Sequence, residues 1–327
     1  MPTTWKRYIT ILFLSLYTIT YAQNNDDTIL AKIPFKLLNN HIYLTLQINN
    51  SKPLWFILDT GAPTIIDLKQ AKQLNLELNS SEKAYGVGNA SDNASLIKNI
   101  SFQLKNITHT EKEVPVIDLS SVEGCANKLV VDPAGNILTQ EKKIKRKSQY
   151  QTINGVLGSK FFKSFVVEIN YKQQYIVLHD PVPFQYNGNG KIIRLDVSTN
   201  HIFTNASIRS SDSTDIKGYF MIDTGSMLAI TLNTPFITRH NLLPPSSQTK
   251  PLSVCGLGGS SNAQIGTIQK LDIQGISLDH LPVIFSQATG GVLSSTEFDG
   301  HIGNAVLRHF NVIFDYTNKR MILESVE

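Results

Sequence analysis

"WFILDTGAPTII" (residues 55–66) drives four apolar residues into Asp59-Thr60-Gly61 and then resumes an apolar run. A WFIL segment is apolar on both faces and reads as a buried strand. An aspartate at the end of such a strand is costly unless it is hydrogen-bonded or paired. Threonine is stiff at its β-branch, and its hydroxyl can bond a nearby backbone group. Glycine allows a sharp turn and close approach of another backbone. Together they describe a carboxyl group fixed on a rigid loop. "YFMIDTGSMLAI" (219–230) repeats the arrangement with Asp223-Thr224-Gly225. At uniform composition a given tripeptide turns up by chance in a chain this long roughly 4% of the time. Two copies, each behind an apolar strand, therefore point to a repeated unit.

The repeat extends in both directions. "NNHIYLTLQI" (39–48) resembles "TNHIFTNASI" (199–208), and "YGVGNAS" (85–91) resembles "CGLGGSS" (255–261). "VPVIDLS" (114–120) faces "LPVIFSQ" (281–287), and "GVLGSKFFKSFVVEINYKQQYIVL" (155–178) faces "GHIGNAVLRHFNVIFDYTNKRMIL" (300–323). Five segments in one order read as a tandem duplication of a unit of about 150 residues, within the usual domain range. The expected division is a lobe over 30–180, a linker over 181–191 and a second lobe over 192–327. The linker lies in the Pro- and Asn/Gly-rich "DPVPFQYNGNGK" (180–191). The halves differ most over 121–150, where the first carries an extra stretch with a Lys/Arg cluster at 142–147. That cluster reads as a solvated surface loop, with an acidic partner as the other reading. Short runs of Val, Ile, Phe and Thr between Gly, Asn and Ser turns predict a mainly β chain. Short helices are expected near 67–76, 159–165 and 303–310.

Thirty Lys+Arg against 26 Asp+Glu leave a formal net charge of +4, too little to argue for nucleic acid. Lys6 and Arg7 precede an apolar stretch ending in Thr20-Tyr21-Ala22, which reads as a signal peptide over 1–22. Its apolar run is shorter than the ~20 residues of a membrane span. The mature protein is expected to be exported, periplasmic or secreted, with no stable span once the signal is removed. Export permits a disulfide, and the spacing of Cys125 and Cys255 leaves their pairing open.

Two Asp-Thr-Gly loops, one from each lobe, can meet across a pseudo-twofold axis. Two carboxyls ~3 Å apart cannot both ionise and share one proton. One can then deprotonate a water while the other donates to the attacked carbonyl, which is amide hydrolysis without a covalent intermediate. No metal-binding spacing, GxSxG elbow or phosphate loop accompanies them, so neither metal nor cofactor is expected.

These residues resemble the aspartic proteases of the pepsin and retropepsin superfamily, closest to the bacterial, exported, two-lobed retropepsin-like group. The resemblance spans about 30–325. It rests on the two apolar-Asp-Thr-Gly segments, on Val156-Leu157-Gly158 and His301-Ile302-Gly303, and on Gly86-Val87-Gly88 and Gly256-Leu257-Gly258. It implies two similar β-barrel lobes with few short helices, in a monomer whose lobes mimic a dimer. It implies an aspartic endopeptidase acting on peptide or protein, with Asp59 and Asp223 as the dyad. Thr60, Gly61, Thr224, Gly225 and Ser226 would support the loops. Gly86, Gly88, Gly256 and Gly258 would shape substrate-covering flaps, and Tyr85 resembles the flap tyrosine of pepsin-like enzymes, although an ordinary strand aromatic fits it equally.

The chain also departs from the pattern. Ala62 follows the first motif and Ser226 the second, so Ser226 is expected to donate to Asp223 and leave it the charged member. His301 stands in an apolar slot. Cys255 replaces the flap tyrosine in the second lobe. His41 and His201 recur in the repeat and read as strand-edge residues. Three other readings compete: an inactive peptide-binding module on the same fold, an envelope interaction protein, and lobes paired between chains.

Overall fold

Strand β4 (Leu54–Leu58), which carries the first apolar run, is a central strand. It pairs antiparallel with β3 (His41–Ile48) and parallel with β9 (Gly155–Leu157). The computed structural model describes residues 28–138, 151–210 and 214–326, without side chains at 80–81 and 125–128. Eight strands form the first sheet, in the order β2 (Lys36–Leu38), β3, β4, β9, β5 (Ile65–Asp67), β8 (Ile107–Ile117), β7 (Ser91–Leu104) and β6 (Asn79–Tyr85). A further pairing of β3 with β7 curls it into a barrel-like lobe.

The second sheet runs β13 (Phe203–Arg209), β14 (Asp215–Asp223), β19 (Gly300–Gly303), β15 (Ile230–Leu232), β18 (Ile276–Ser286), β17 (Gly259–Ile273) and β16 (Lys250–Gly256). It is curled by a β13–β17 pairing. From β3 onward, its order is that of the first sheet with ten added to every strand number. This is the mainly β, two-lobed, pseudo-twofold architecture that the repeat implied.

A third sheet joins the lobes. Its order is β1 (Ile29–Pro34), β11 (Tyr175–His179), β10 (Val166–Asn170), β20 (Phe310–Asp315), β21 (Arg320–Ser325) and β12 (Lys191–Arg194). The junction is the antiparallel pair β10–β20, from Val167 opposite Phe314 to Asn170 opposite Asn311. Val167, Ile169, Val312 and Phe314 alternate along these strands and are fully buried in the main core. Phe162 packs edge-on against Phe314, with ring centroids 5.4 Å apart, so this core is continuous from lobe to lobe.

The three expected helices are present and short, at Leu68–Gln73, Ser159–Ser164 and Asn304–Leu307. Two others, Ser120–Lys128 and Thr234–His240, were not anticipated. The linker packs onto the joining sheet: Phe184 is buried with Val166, Ile313 and Ile322, and the Tyr186 hydroxyl donates to Glu324 Oε1 at 2.7 Å. The expected signal peptide over 1–22 and the Lys/Arg cluster at 142–147 lie outside the described residues. The described part of the 121–150 insert crosses to the second lobe, where Leu129 and Val131 pack with Leu228, Val254 and Ile284. Asn39 and Asn40 form the two-residue turn between β2 and β3, both with positive φ (50° and 62°), which asparagine tolerates. Their amides hold the insert and the second lobe. Asn39 Nδ2 donates to Leu129 O (2.9 Å) and Asn40 Nδ2 to Met227 O (3.0 Å). Cys255 is disulfide-bonded; the side chain of Cys125 lies outside the described residues.

Candidate active site

Each Asp-Thr-Gly segment leaves its sheet where a parallel neighbour has just passed. Phe56, Ile57 and Leu58 lie beside Gly155, Val156 and Leu157, and the Asp59 N–H donates to Leu157 O at 3.0 Å. Phe220 to Asp223 lie beside Gly300 to Gly303 in the same way. The two loops then meet. The Thr60 N–H donates to Thr224 Oγ1 (2.9 Å) and the Thr224 N–H to Thr60 Oγ1 (3.0 Å). Each hydroxyl donates onward across the junction, Thr60 to Ile222 O (2.7 Å) and Thr224 to Leu58 O (3.0 Å). Both threonines are fully buried, and each hydroxyl uses its donor and an acceptor site at once.

This brace brings Asp59 and Asp223 together, each lying against the glycine of the other loop and each perturbing the ionisation of the other. The Gly61 N–H donates to Asp59 Oδ1 (2.7 Å) and the Gly225 N–H to Asp223 Oδ1 (2.9 Å). The glycines are required by close approach. A Cβ on Gly61 would lie 2.7 Å from Asp223 Oδ1, and one on Gly225 would lie 2.2 Å from Asp59 Oδ2. Burial, and then the charge of Asp223, hold the Asp59 carboxyl well above the usual carboxylate range. Burial also pushes Asp223 upward, but His301, the Gly225 N–H and Asp59 together bring it below its ordinary value. The two shifts run in opposite directions, Asp59 upward and Asp223 downward.

That polarity matches the expectation from Ser226, but its cause is different. Ser226 Oγ accepts from the Leu228 N–H at 3.4 Å, and no hydrogen bond links it to either aspartate among the described residues. His301 Nδ1 lies 3.1 Å from Asp223 Oδ2 instead. His41 is also at the site: its Nε2–H donates to Gly225 O at 2.9 Å, and burial lowers its pKa. His201 lines the same cavity. The strand-edge reading fits His41, the first residue of β3, whereas His201 lies in the segment before β13, and it missed that both side chains line the cavity that holds the aspartates. His301 had a visible signal, an imidazole where the motif wants an apolar side chain. Nothing in the sequence showed which face of β19 that slot presents.

Over the aspartates lies a cavity of about 1020 Å³. Ile57, Ile65 and Val156 wall it from the first lobe, and Met221, Met227 and Phe298 from the second. The hairpins β6–β7 and β16–β17 cross it and meet at their tips. The Gly88 N–H donates to Leu257 O (2.9 Å), the Ala90 N–H to Gly258 O (3.1 Å) and the Gly258 N–H to Asp92 Oδ2 (2.7 Å). Gly86 and Gly88 are needed for contact: added Cβ atoms would lie 2.6 Å from Leu257 Cβ and 2.0 Å from Gly258 C. Gly258 has φ +80°, whereas a Cβ on Gly256 would first meet Val87 Cβ at 3.3 Å. Tyr85 is 67% exposed, with most of its ring in solvent.

The aspartyl protease family model matches residues 44–161, from within β3 into the helix after β9. The match contains Asp59 and the first hairpin and supports a place for this lobe in the superfamily. It ends before Asp223, and the second lobe is tied to the first by the common strand order and the hydrogen bonds between the two threonine loops. No curated protein matches the chain.

Proposed function

We propose that the chain is an exported aspartic endopeptidase arising from a tandem duplication and acting as a single, monomeric, two-lobed molecule. The observation that carries this is the close approach of Asp59 and Asp223, one from each lobe, on loops locked by Thr60 and Thr224. Asp223, as carboxylate, takes a proton from a water held between the pair. Asp59, as acid, protonates the carbonyl oxygen as the water oxygen bonds to carbon. Collapse of the resulting diol returns a proton to Asp59 and passes one from Asp223 to the departing amine. The partner implied is an extended peptide under the two hairpins, and the apolar cavity walls favour apolar side chains on both sides of the cut bond. Export rests on the basic and apolar leader before Ala22, and no helix among the described residues is long and apolar enough to cross a membrane.

The test is digestion of a denatured protein across pH by wild type, Asp59→Asn and Asp223→Asn. Wild type should cleave and both variants should lose nearly all turnover, because an amide replaces neither the acid nor the base. Substantial turnover by either variant rejects the dyad. A wild type that binds peptides without cutting them at any pH makes the molecule a binding module.

A further inference from the structure

The slot occupied by His301 has a counterpart in the first lobe. His301 lies beside Met221 and Thr231 as Val156 lies beside Ile57 and Ile65. Both slots open onto the cavity floor next to an aspartate. Valine can only pack there; histidine bonds Asp223.

The ring's surroundings fix its tautomer. Nε2 is buried and has no partner among the described residues. Were Nδ1 the acceptor, a neutral ring would carry its proton on Nε2, an orphaned buried donor, which folded proteins rarely tolerate. With the proton on Nδ1, the only unpaired feature is a lone pair. The edge-on packing of Phe298, with centroids 5.2 Å apart, holds the plane of the ring.

We propose that His301 is a positioning residue that breaks the symmetry of the dyad: its Nδ1–H bond to Asp223 Oδ2 keeps the negative charge on Asp223 and the shared proton on Asp59. The roles of base and acid are thereby assigned before substrate binds, and the dyad stays singly ionised to lower pH than it would without the donor. The inference rests on the proposed protease reading. The direction of both aspartate shifts agrees with it. The other titratable groups facing this point are few. Asp59 comes from the first loop, His201 from the segment before β13, His41 from β3 through the Gly225 carbonyl, and Glu297 from the cavity rim. Thr231 on β15 does not titrate.

The experiment compares the pH profile of kcat/KM for wild type, His301→Leu and His301→Asn. Leucine removes the donor. Asparagine places an amide N–H near the position of Nδ1 and cannot ionise. A hydrogen bond to a charged group is worth about 1.5–3 kcal/mol, so the acidic limb should rise by about one to two pH units in His301→Leu. His301→Asn should recover at least half of that shift. An unmoved limb in a folded, active His301→Leu, or an asparagine variant that behaves like leucine, overturns the proposal. A second measurement covers a leucine variant that does not fold. Carboxyl carbon-13 shifts followed through a pH titration of wild type should show Asp223 losing its proton before Asp59, and the reverse order overturns the proposal. This readout needs no hydrolysis, so a wild type without activity sinks the protease reading and still leaves the proton assignment to be decided by the titration.

Discussion

At the scale of single residues, the site stores free energy in one carboxyl group. The pKa of Asp59 is raised in the folded state, so the native protein holds a proton that the unfolded chain releases at the same pH. Stability is lost as pH rises from the ordinary carboxylate value toward the folded one. Asp59→Asn keeps an oxygen for the Gly61 N–H and removes the penalty. It should therefore unfold at a higher temperature than wild type near neutral pH, with the gap closing below about pH 4. Thermal melts of the two proteins across pH check this, and a gap that widens in acid would contradict it. The threonines act oppositely, as stabilisers. Thr60→Val keeps the shape but leaves the Thr224 N–H and Ile222 O unpaired, at about 1–3 kcal/mol for each buried group. Thr60→Ser should restore most of the loss, and urea midpoints at constant slope measure both. The residue types at 59–61 and 223–225 were legible in the sequence because their chemistry is local. The roles of His41, His201 and His301 were not, because each depends on which side chains the fold turns toward the cavity.

At the scale of elements, the two hairpins are fastened to one another across the cavity. The resemblance gave their glycines the task of shaping flaps, and the structure adds that Gly86 and Gly88 let a second backbone approach. Sequence shows that a residue is small and does not show what comes near it. The fastening depends on Asp92, whose carboxyl accepts from the Gly258 N–H. In Asp92→Ala, amide exchange at Gly88, Ala90 and Gly258 should accelerate roughly tenfold or more, the worth of one hydrogen bond to a charged acceptor. Exchange in the β10–β20 pair should not change. Unaltered exchange at the tips would mean that the hairpins are held from elsewhere. The insert shows the same limit of legibility. Nothing local in its composition marks Leu129 and Val131, which are buried against the second lobe. The partners that bury them lie about a hundred residues or more away in sequence, beyond the reach of any local pattern.

At the scale of the whole molecule, the joining sheet and the threonine brace hold two halves that neither contains alone. The residues Gly188 and Asn189 in the linker are exposed, whereas Phe184 is buried. A protease site placed at 188–189 should thus be cut without loss of activity, and the two fragments should migrate together on gel filtration. Separated by denaturant, each fragment should be inactive, with activity returning on mixing. Fragments that part spontaneously after cutting would show that the linker holds the lobes together. The same sheet has a further consequence. Its pseudo-twofold axis maps β11 onto β21 and β12 onto β1, so the gap from the end of β11 to the start of β12 has an image, from the end of β21 to the start of β1. Residues 180–190 bridge the first gap. A copy of that bridge fits the second, and the chain can then be opened between the lobes instead. Its strands would be read in rotated order around a closed ring, and the same two aspartates would face each other. In this architecture first and last are properties of the gene, and the fold itself has only two alternating halves.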